Sequence, residues 1–152
     1  MVNNICFFIL AFSPVIRNVI LSGGSSGVWI GDSFAPKFLN WGVYNVHGPF
    51  PRGQCVQFAR CTGGIVYNFI CKNQWAYSFP EDAISIWRSA NSTVRNGVIA
   101  GSNAHTGVGL MFEQSDLLDN SWALAQDIQA WGIGGCCFST YGGTNVTFDN
   151  VG

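Results

Sequence analysis

The chain has 152 residues, of which 48% are apolar and only 10% are charged. It contains 19 glycines and 13 asparagines, residue types that form helices poorly and are common in turns. The net charge is −1 and no Lys/Arg cluster occurs, so the chain lacks the basic surface that nucleic-acid binding needs. This composition predicts an all-β domain of short strands joined by many turns.

The first apolar run, residues 5–12, reads ICFFILAF. It is too short for a membrane-spanning helix, which needs about 20 residues, so we predict no membrane partner. No basic residue precedes the run and no clear small-x-small cleavage site follows it. These absences favour a buried strand over a secretory signal peptide.

Two short patterns recur along the rest of the chain and alternate with each other. The first is apolar-x-apolar and begins at Val28, Val56, Ile84, Val108 and Cys136. The second is apolar-x-Asn/Asp and ends at Asn18, Asn45, Asn68, Asn96, Asp127 and Asn150. Two interleaved patterns of nearly equal period indicate a structural repeat.

A period of about 23–31 residues without helical periodicity fits a solenoid of parallel strands, in which each coil adds one strand to each sheet. Apolar residues at alternate positions then point into the bore. Asparagine suits the corners because it tolerates left-handed backbone angles, and stacked asparagines can hydrogen-bond to one another. A leucine-rich repeat needs more leucines, and a propeller blade needs a repeat of about 40–50 residues.

Three segments resemble the coil of the right-handed parallel β-helix superfamily, the pectate-lyase-like fold. Residues 107–110 (GVGL) resemble its first strand, and residues 91–96 (NSTVRN) and 145–150 (NVTFDN) resemble its second strand. The resemblance covers about residues 15–152. It implies a single β-helix domain over residues 1–152, with three sheets, about five coils and a partial sixth.

Bare ends of a β-solenoid expose unpaired strand edges. We therefore expect the chain to be a fragment of a longer solenoid. The rest of that solenoid, or another chain, is expected to contact the open ends.

The resemblance also implies a site in a groove along the outer face of the first sheet, with polysaccharide as the substrate. Residues 81–86 (EDAISI) resemble the acidic segment of the polygalacturonase-like hydrolases, and residues 105–107 (HTG) resemble their G-H-G segment. Glycoside hydrolysis requires carboxyl groups with different pKa values. The candidate catalytic residues are Asp82, Glu113, His105 and Arg88. A turn cap at Asp82 and a surface position for His105 are the structural alternatives.

Arg60 and Arg88 occupy the same place in adjacent coils, so their backbones should lie about 5 Å apart. Two like charges that close repel each other unless an anion or a carboxylate lies between them. One interpretation is recognition of an acidic sugar by the two guanidinium groups. We favour the other, a solvent-facing pair bridged by Asp82 or Glu113.

Aromatic side chains on outward positions or loops can stack on sugar rings through their apolar faces. With the arginines, they give the predicted substrate-binding residues Trp29, Arg60, Trp87, Arg52 and Tyr141. The alternative is that aromatic side chains of the long loops fold down onto the sheet.

The remaining chemistry is left open by the sequence. Calcium normally needs several converging oxygen ligands. A calcium site is possible but unsupported, because only four carboxylates are available nearby: Glu81, Asp82, Glu113 and Asp116. The six cysteines show no C-x-x-C and no zinc spacing, so we expect most of them to be buried small apolar residues.

The sequence therefore predicts a carbohydrate-active β-helix protein, secreted or extracellular, that acts on or binds a polysaccharide along its first sheet. Lyase, hydrolase and epimerase activities remain open. The alternative is a non-catalytic solenoid of the adhesin or phage tail-fibre type. A nucleic-acid partner is not expected.

Overall fold

The computed structural model describes residues 5–48, 53–113, 122–142 and 145–152. The strands are β1 (Ile5–Leu10), β2 (Val15–Ser22), β3 (Ser26–Gly31), β4 (Lys37–Tyr44), β5 (Val56–Ala59), β6 (Ile65–Lys72), β7 (Asp82–Trp87), β8 (Ser92–Ser102), β9 (Val108–Glu113), β10 (Ala123–Ile133), β11 (Cys136–Tyr141) and β12 (Val146–Val151). A 3₁₀ turn, Trp75–Tyr77, lies between β6 and β7. Within the described ranges, no helix is long and apolar enough to span a membrane.

Odd-numbered and even-numbered strands form separate sheets. The first sheet has the order β1-β3-β5-β7-β9-β11, and the second has the order β12-β10-β8-β6-β4-β2. All neighbouring strands are parallel, which confirms the predicted parallel β-solenoid. The predicted second and third sheets form a single sheet, because the second and third strands of each coil are continuous through a bend.

The solenoid has about four turns, slightly fewer than the five and a partial sixth that the repeat predicts. The buried apolar residues extend from Val28 in β3 to Ala130 in β10. The outermost strands have a neighbour on one side only and leave much of their apolar surface exposed.

The bore consists of apolar residues that pair in register across the first sheet. Ile30, Phe58 and Ile86 are partners in successive strands, and each is fully buried. Along β9 the predicted register is wrong by two residues, since Leu110, rather than Val108, pairs with Ile84. A shift of two residues keeps the same side chains on the same face, so the alternating pattern alone could not detect it.

The predicted alignment of Val108 with Cys136 in β11 is confirmed, so the error lies only between β7 and β9. The step from Ile84 to its partner in β9 is therefore longer than the predicted step from Ile84 to Val108. That predicted step is the shortest of the apolar pattern, so the observed register makes the period more regular than the predicted one.

The bend in the second sheet is built from a ladder of exposed polar residues with positive φ angles between 50° and 58°. The members of this Asn ladder are Asn18, Asn40, Asn68, Asn96, Asp127 and Asn150. The prediction that Asn45 belongs to this ladder is wrong. Asn45 follows β4 at the next corner, and Asn40 occupies the bend within β4. Along the first four rungs, each later Nδ2 donates to the preceding Oδ1, at 3.2, 2.9 and 3.4 Å.

We expect Asn68→Ala to lower the free energy of unfolding by about 2–3 kcal/mol. Alanine at φ 53° carries a left-handed penalty of about 1–2 kcal/mol, and the variant also loses two ladder hydrogen bonds. Asn68→Gly removes the same bonds without the backbone penalty, so it should cost about 1 kcal/mol. Urea unfolding measures both, and equal losses would contradict a backbone contribution.

Residues 5–10 form a strand, as the first apolar run predicts, but the expected burial is wrong. β1 pairs only with β3 at the edge of the first sheet. Phe8 is 62% exposed and Leu10 is 60% exposed. An edge strand is paired with a neighbouring strand on one side only, so its side chains are covered from that side only.

Cys55 and Cys71 form a disulfide, with their Cα atoms 6.1 Å apart. Among the cysteines whose side chains are described, only Cys61 is a free buried thiol, while Cys136 is exposed and Cys137 is half-buried. Three of the five cysteines with described side chains are buried as expected, but two of these three form the disulfide and only Cys61 packs as a free apolar residue. The pair closes one coil across its interior, a proximity that the sequence separation of 16 does not reveal without the coil geometry.

Candidate functional site

A cleft of about 490 Å³ opens on the outer face of the first sheet. We call it the first-sheet cleft. Side chains from β1, β3, β5, β7 and β9 reach it, together with the segments that precede β5 and β7. Its lining residues are Phe8, Ser26, Val28, Trp29, Gln54, Gln57, Glu81, Asp82, Ser85, Trp87 and Glu113.

The floor of the cleft is a row of three outward residues, Trp29, Gln57 and Ser85, which pair in register. Gln57 Nε2 donates to Ser85 Oγ at 3.4 Å. The Trp29 ring lies over Gly31, where an added Cβ would be 2.0 Å from the ring. On another side Trp29 stacks against Phe8, with centroids 4.5 Å apart. Trp29 is therefore part of an aromatic wall that closes one end of the floor.

One edge of the cleft is polar, and its residues recur once in each coil. Ser26, Gln54 and Asp82 each lie two residues before the first paired bore residue of their coil. Gln54 is 5% exposed and Asp82 is 6% exposed. The sequence predicts Asp82 as a site residue, but it does not predict Phe8, Ser26 or Gln54 as site residues. The period of the coils could have identified the latter two from the position of Asp82.

Asp82 is the first residue of β7, and its surroundings strongly perturb its pKa. Its pKa is raised to about 7, mainly by burial and then by the negative charges of Glu81 and Glu113. A hydrogen bond from the Val108 backbone opposes the shift but is the smallest of these effects. Near neutral pH, Asp82 is therefore a carboxyl group that can hold a proton beside two carboxylates.

We expect stability to fall as the pH rises from about 4 to about 7. The pKa of Asp82 is about 7 in the folded chain and about 3.9 in the unfolded chain. Folded chains therefore bind more protons in that window, and deprotonation favours unfolding by a few kcal/mol at most.

Urea unfolding at about pH 5 and about pH 8 measures this loss. Asp82→Asn cannot lose a proton, so it should flatten the profile and be more stable than the wild type at the higher pH. A variant with the same fall in stability would contradict the assignment to Asp82.

The opposite edge of the cleft carries Trp87 and Glu113, which are paired at the ends of β7 and β9. Val108 is the residue of β9 opposite Asp82, and Glu113 lies further along the same strand. The rise of a parallel strand separates the Cα atoms of these two β9 residues by about 16 Å. The two acids therefore approach the cavity from opposite edges, although the charge of Glu113 still acts on Asp82. The space between them is open to a ligand.

The two predicted arginines lie at one corner, outside the lining of the first-sheet cleft. Arg60 Nε and Nη2 each bond an Asp32 carboxylate oxygen at 2.6 Å. Asp32, rather than Asp82 or Glu113, is therefore the carboxylate that neutralises Arg60, and the pKa of Asp32 is lowered mainly by this hydrogen bonding.

Arg88 sits one coil further along, with its guanidinium carbon 4.9 Å from the centroid of Trp87. Arg60 approaches the same ring at 5.5 Å. Cation–π contact with a shared ring thus accommodates two neighbouring guanidinium groups. Both arginines therefore contact the Trp87 ring, and this ring also lines the cleft.

Two other described residues among the predictions, His105 and Tyr141, do not line the cleft. His105 is exposed in the loop between β8 and β9. Tyr141 is 72% exposed and pairs with Glu113 at the end of β11, one strand beyond the cleft. Arg52 and Asp116 lie outside the described residues.

Among the described side chains, no group of three or more His, Cys, Asp or Glu is arranged to hold a metal ion. The first-sheet cleft combines a protonatable acid, two further carboxylates and two tryptophans. Chemically, this arrangement can transfer a proton to a bound neutral group while it offers apolar ring faces to a ligand.

No protein-family model matches the chain, and none of the curated proteins matches it.

Proposed function

We propose that the chain is a glycoside hydrolase of the pectate-lyase-like β-helix kind, which cleaves an uncharged polysaccharide in the first-sheet cleft. The observation that carries the proposal is that Asp82, Glu81 and Glu113 line one cleft together with two tryptophans. Paired carboxyl groups with different protonation states are the usual machinery of glycosidic hydrolysis.

In this proposal Asp82 is the general acid. Its pKa of about 7 keeps a proton available, which it gives to the glycosidic oxygen as the bond to the anomeric carbon breaks. Glu113 is the general base and takes a proton from water, whose oxygen bonds to the anomeric carbon. Water, rather than Glu113, is the nucleophile in this proposal, because the two acids enter the cleft from opposite edges, and this arrangement leaves room for a water molecule between them.

The charge of the cleft supports a neutral substrate rather than a uronate. Its described lining contains three carboxylates and no Lys, Arg or His. A uronate chain would be repelled by these carboxylates, and proton abstraction beside a uronate needs a basic side chain that the lining lacks. Hydrolysis therefore fits the cleft better than elimination or epimerisation.

The Cys55–Cys71 disulfide supports a secreted or extracellular location for this activity. Disulfides persist in oxidising compartments and are rare in the cytosol. An extracellular location would also bring the enzyme to polysaccharides that do not enter cells.

The test is incubation of the purified chain with soluble neutral polysaccharides (xylan, β-glucan, galactomannan) and with uronate polysaccharides. New reducing ends and absorbance from unsaturated products are followed in parallel. We expect reducing ends from at least one neutral chain and no unsaturated product.

Unsaturated products from a uronate chain would contradict the hydrolase assignment and favour a lyase. Binding without any product would favour the alternative, a non-catalytic solenoid in which the cleft only holds a glycan.

A further inference from the structure

A second groove runs along the bend of the second sheet, on strands that do not line the first-sheet cleft. One part, of about 840 Å³, is lined by residues 68–70, 96–98, 127–131 and 150–152. Another part, of about 420 Å³, is lined by residues 18–20, 40–42, 44 and 68–70. Both parts include Asn68, Phe69 and Ile70, so they form one groove across the even-numbered strands, which we call the ladder groove.

The Asn ladder supplies regularly spaced hydrogen-bonding groups to this groove. Asn68 Nδ2 donates to Asn40, and Asn68 Oδ1 accepts from Asn96. An asparagine amide has two N–H donors and two acceptor lone pairs. Asn40 and Asn68 therefore each keep one donor and one acceptor for a ligand, about 4.8 Å apart along the solenoid.

The ladder is interrupted between Asn96 and Asp127. Every observed ladder bond runs from an Nδ2 to the oxygen of the preceding rung, but the carboxylate of Asp127 has no N–H to donate. Asn150 Nδ2 donates to Asp127 Oδ1 at 2.8 Å. Among the described residues, no side chain donates to Asn96 Oδ1. Asn96 and Asp127 thus occupy adjacent register positions, and no ladder hydrogen bond joins them among the described residues.

An aromatic ring lies on the same strand as this gap, four residues further along it. Trp131 is on the same strand as Asp127, lines the groove and is 51% exposed. Trp131 pairs with Ala100, whose small side chain leaves the indole uncovered on that side. Three strands away, in the same row of the sheet, Tyr44 lies over Gly42 and lines the other part of the groove.

The groove carries little net charge. Asp127 is paired with Arg95 Nη2 at 3.9 Å, and the remaining lining side chains are amides, apolar groups and aromatic rings. Neighbouring hydroxyl groups match a pair of adjacent acceptors, and the C–H face of a sugar ring matches an exposed indole. A chain of uncharged sugars fulfils both requirements, and two or three sugar units can span the distance of roughly 13 Å along the strand from the gap to Trp131.

We propose that the ladder groove binds an extended, uncharged glycan chain. In that complex, neighbouring hydroxyls donate to Asn96 and Asp127 while one sugar ring stacks on Trp131. This site is separate from the first-sheet cleft and does not depend on hydrolysis there.

Affinity gel electrophoresis with soluble xylan, β-glucan and galactomannan tests the proposal. The wild-type chain should be retarded by at least one of them, and Trp131→Ala should weaken binding roughly three- to tenfold. Trp122→Ala is the matched control, since Trp122 is 44% exposed but does not line the ladder groove. Equal weakening by the two variants, or no retardation by any of the glycans, would overturn the proposal.

Asp127→Asn is the more specific variant. The new amide can donate to Asn96 Oδ1, which completes the ladder and consumes the acceptor that the sugar would use. We expect weaker glycan binding with unfolding stability at least close to that of the wild type. Unchanged binding would overturn the role of the gap. Asp82→Asn should bind the glycan in the groove even when it cannot cleave it, so failure of the hydrolase proposal and failure of this one are distinguishable.

Discussion

Asp82→Asn is expected to lower kcat for hydrolysis of a neutral glycan by about 10²–10⁴-fold, with KM nearly unchanged, since loss of a general acid typically has an effect of this size. The amide has nearly the same shape as the carboxyl group, so the cleft should keep its form, but it cannot deliver a proton to the leaving oxygen. Initial rates across a range of glycan concentrations separate the two kinetic constants.

The pH profile provides a second measurement of the same role. Activity that requires protonated Asp82 should decline as the pH rises through its pKa of about 7. Glu113→Gln should also lower kcat, because it removes the proposed base.

Asp149→Asn is the control substitution for the Asp82 variant. Asp149 is exposed in β12 and accepts a hydrogen bond from Gln126 at 2.7 Å, so the change should have little effect on activity. A wild-type kcat in Asp82→Asn would exclude Asp82 as the acid. The stabilisation of this variant at high pH would then remain as a purely structural effect of burying a carboxyl group.

The fold could be predicted because its physical requirements repeat in the sequence. Apolar residues at alternate positions must return to the same bore after each coil, and the bend needs residues that accept a positive φ. These two constraints identify Ile30, Phe58 and Ile86, and also most of the Asn ladder. They do not determine the register between neighbouring strands. The predicted alignment therefore pairs Ile84 with Val108, two residues before its observed partner Leu110.

The site was harder to predict, because side chains from different coils meet in ways that one period does not describe. Asp32 and Arg60 are 28 residues apart, so the repeat could have identified that ion pair. The stack of Phe8 on Trp29 depends on the edge strand β1, for which the sequence contains no recognised copy of the repeat. The raised pKa of Asp82 depends on burial, which only the assembled coil reveals.

Phe58→Ala should have the largest effect on stability, a loss of about 3–5 kcal/mol in the free energy of unfolding. Phe58 is fully buried between its register partners Ile30 and Ile86. Its ring also covers Gly64, where an added Cβ would lie 2.6 Å from the ring. Truncation therefore leaves a cavity bounded by backbone from successive coils, and a parallel solenoid cannot close such a cavity without disturbing its strand spacing.

Two further substitutions make the Phe58 measurement interpretable. Phe58→Leu keeps most of the buried volume, so it should cost less than about 1.5 kcal/mol. Phe79→Ala removes the same side chain from a loop where it is 41% exposed, and its effect should be smaller than that of Phe58→Ala by at least half. Urea unfolding followed by tryptophan fluorescence measures all three. Equal losses for Phe58→Ala and Phe79→Ala would mean that the bore is not the main source of stability, because burial in the bore is the chief difference between the two sites.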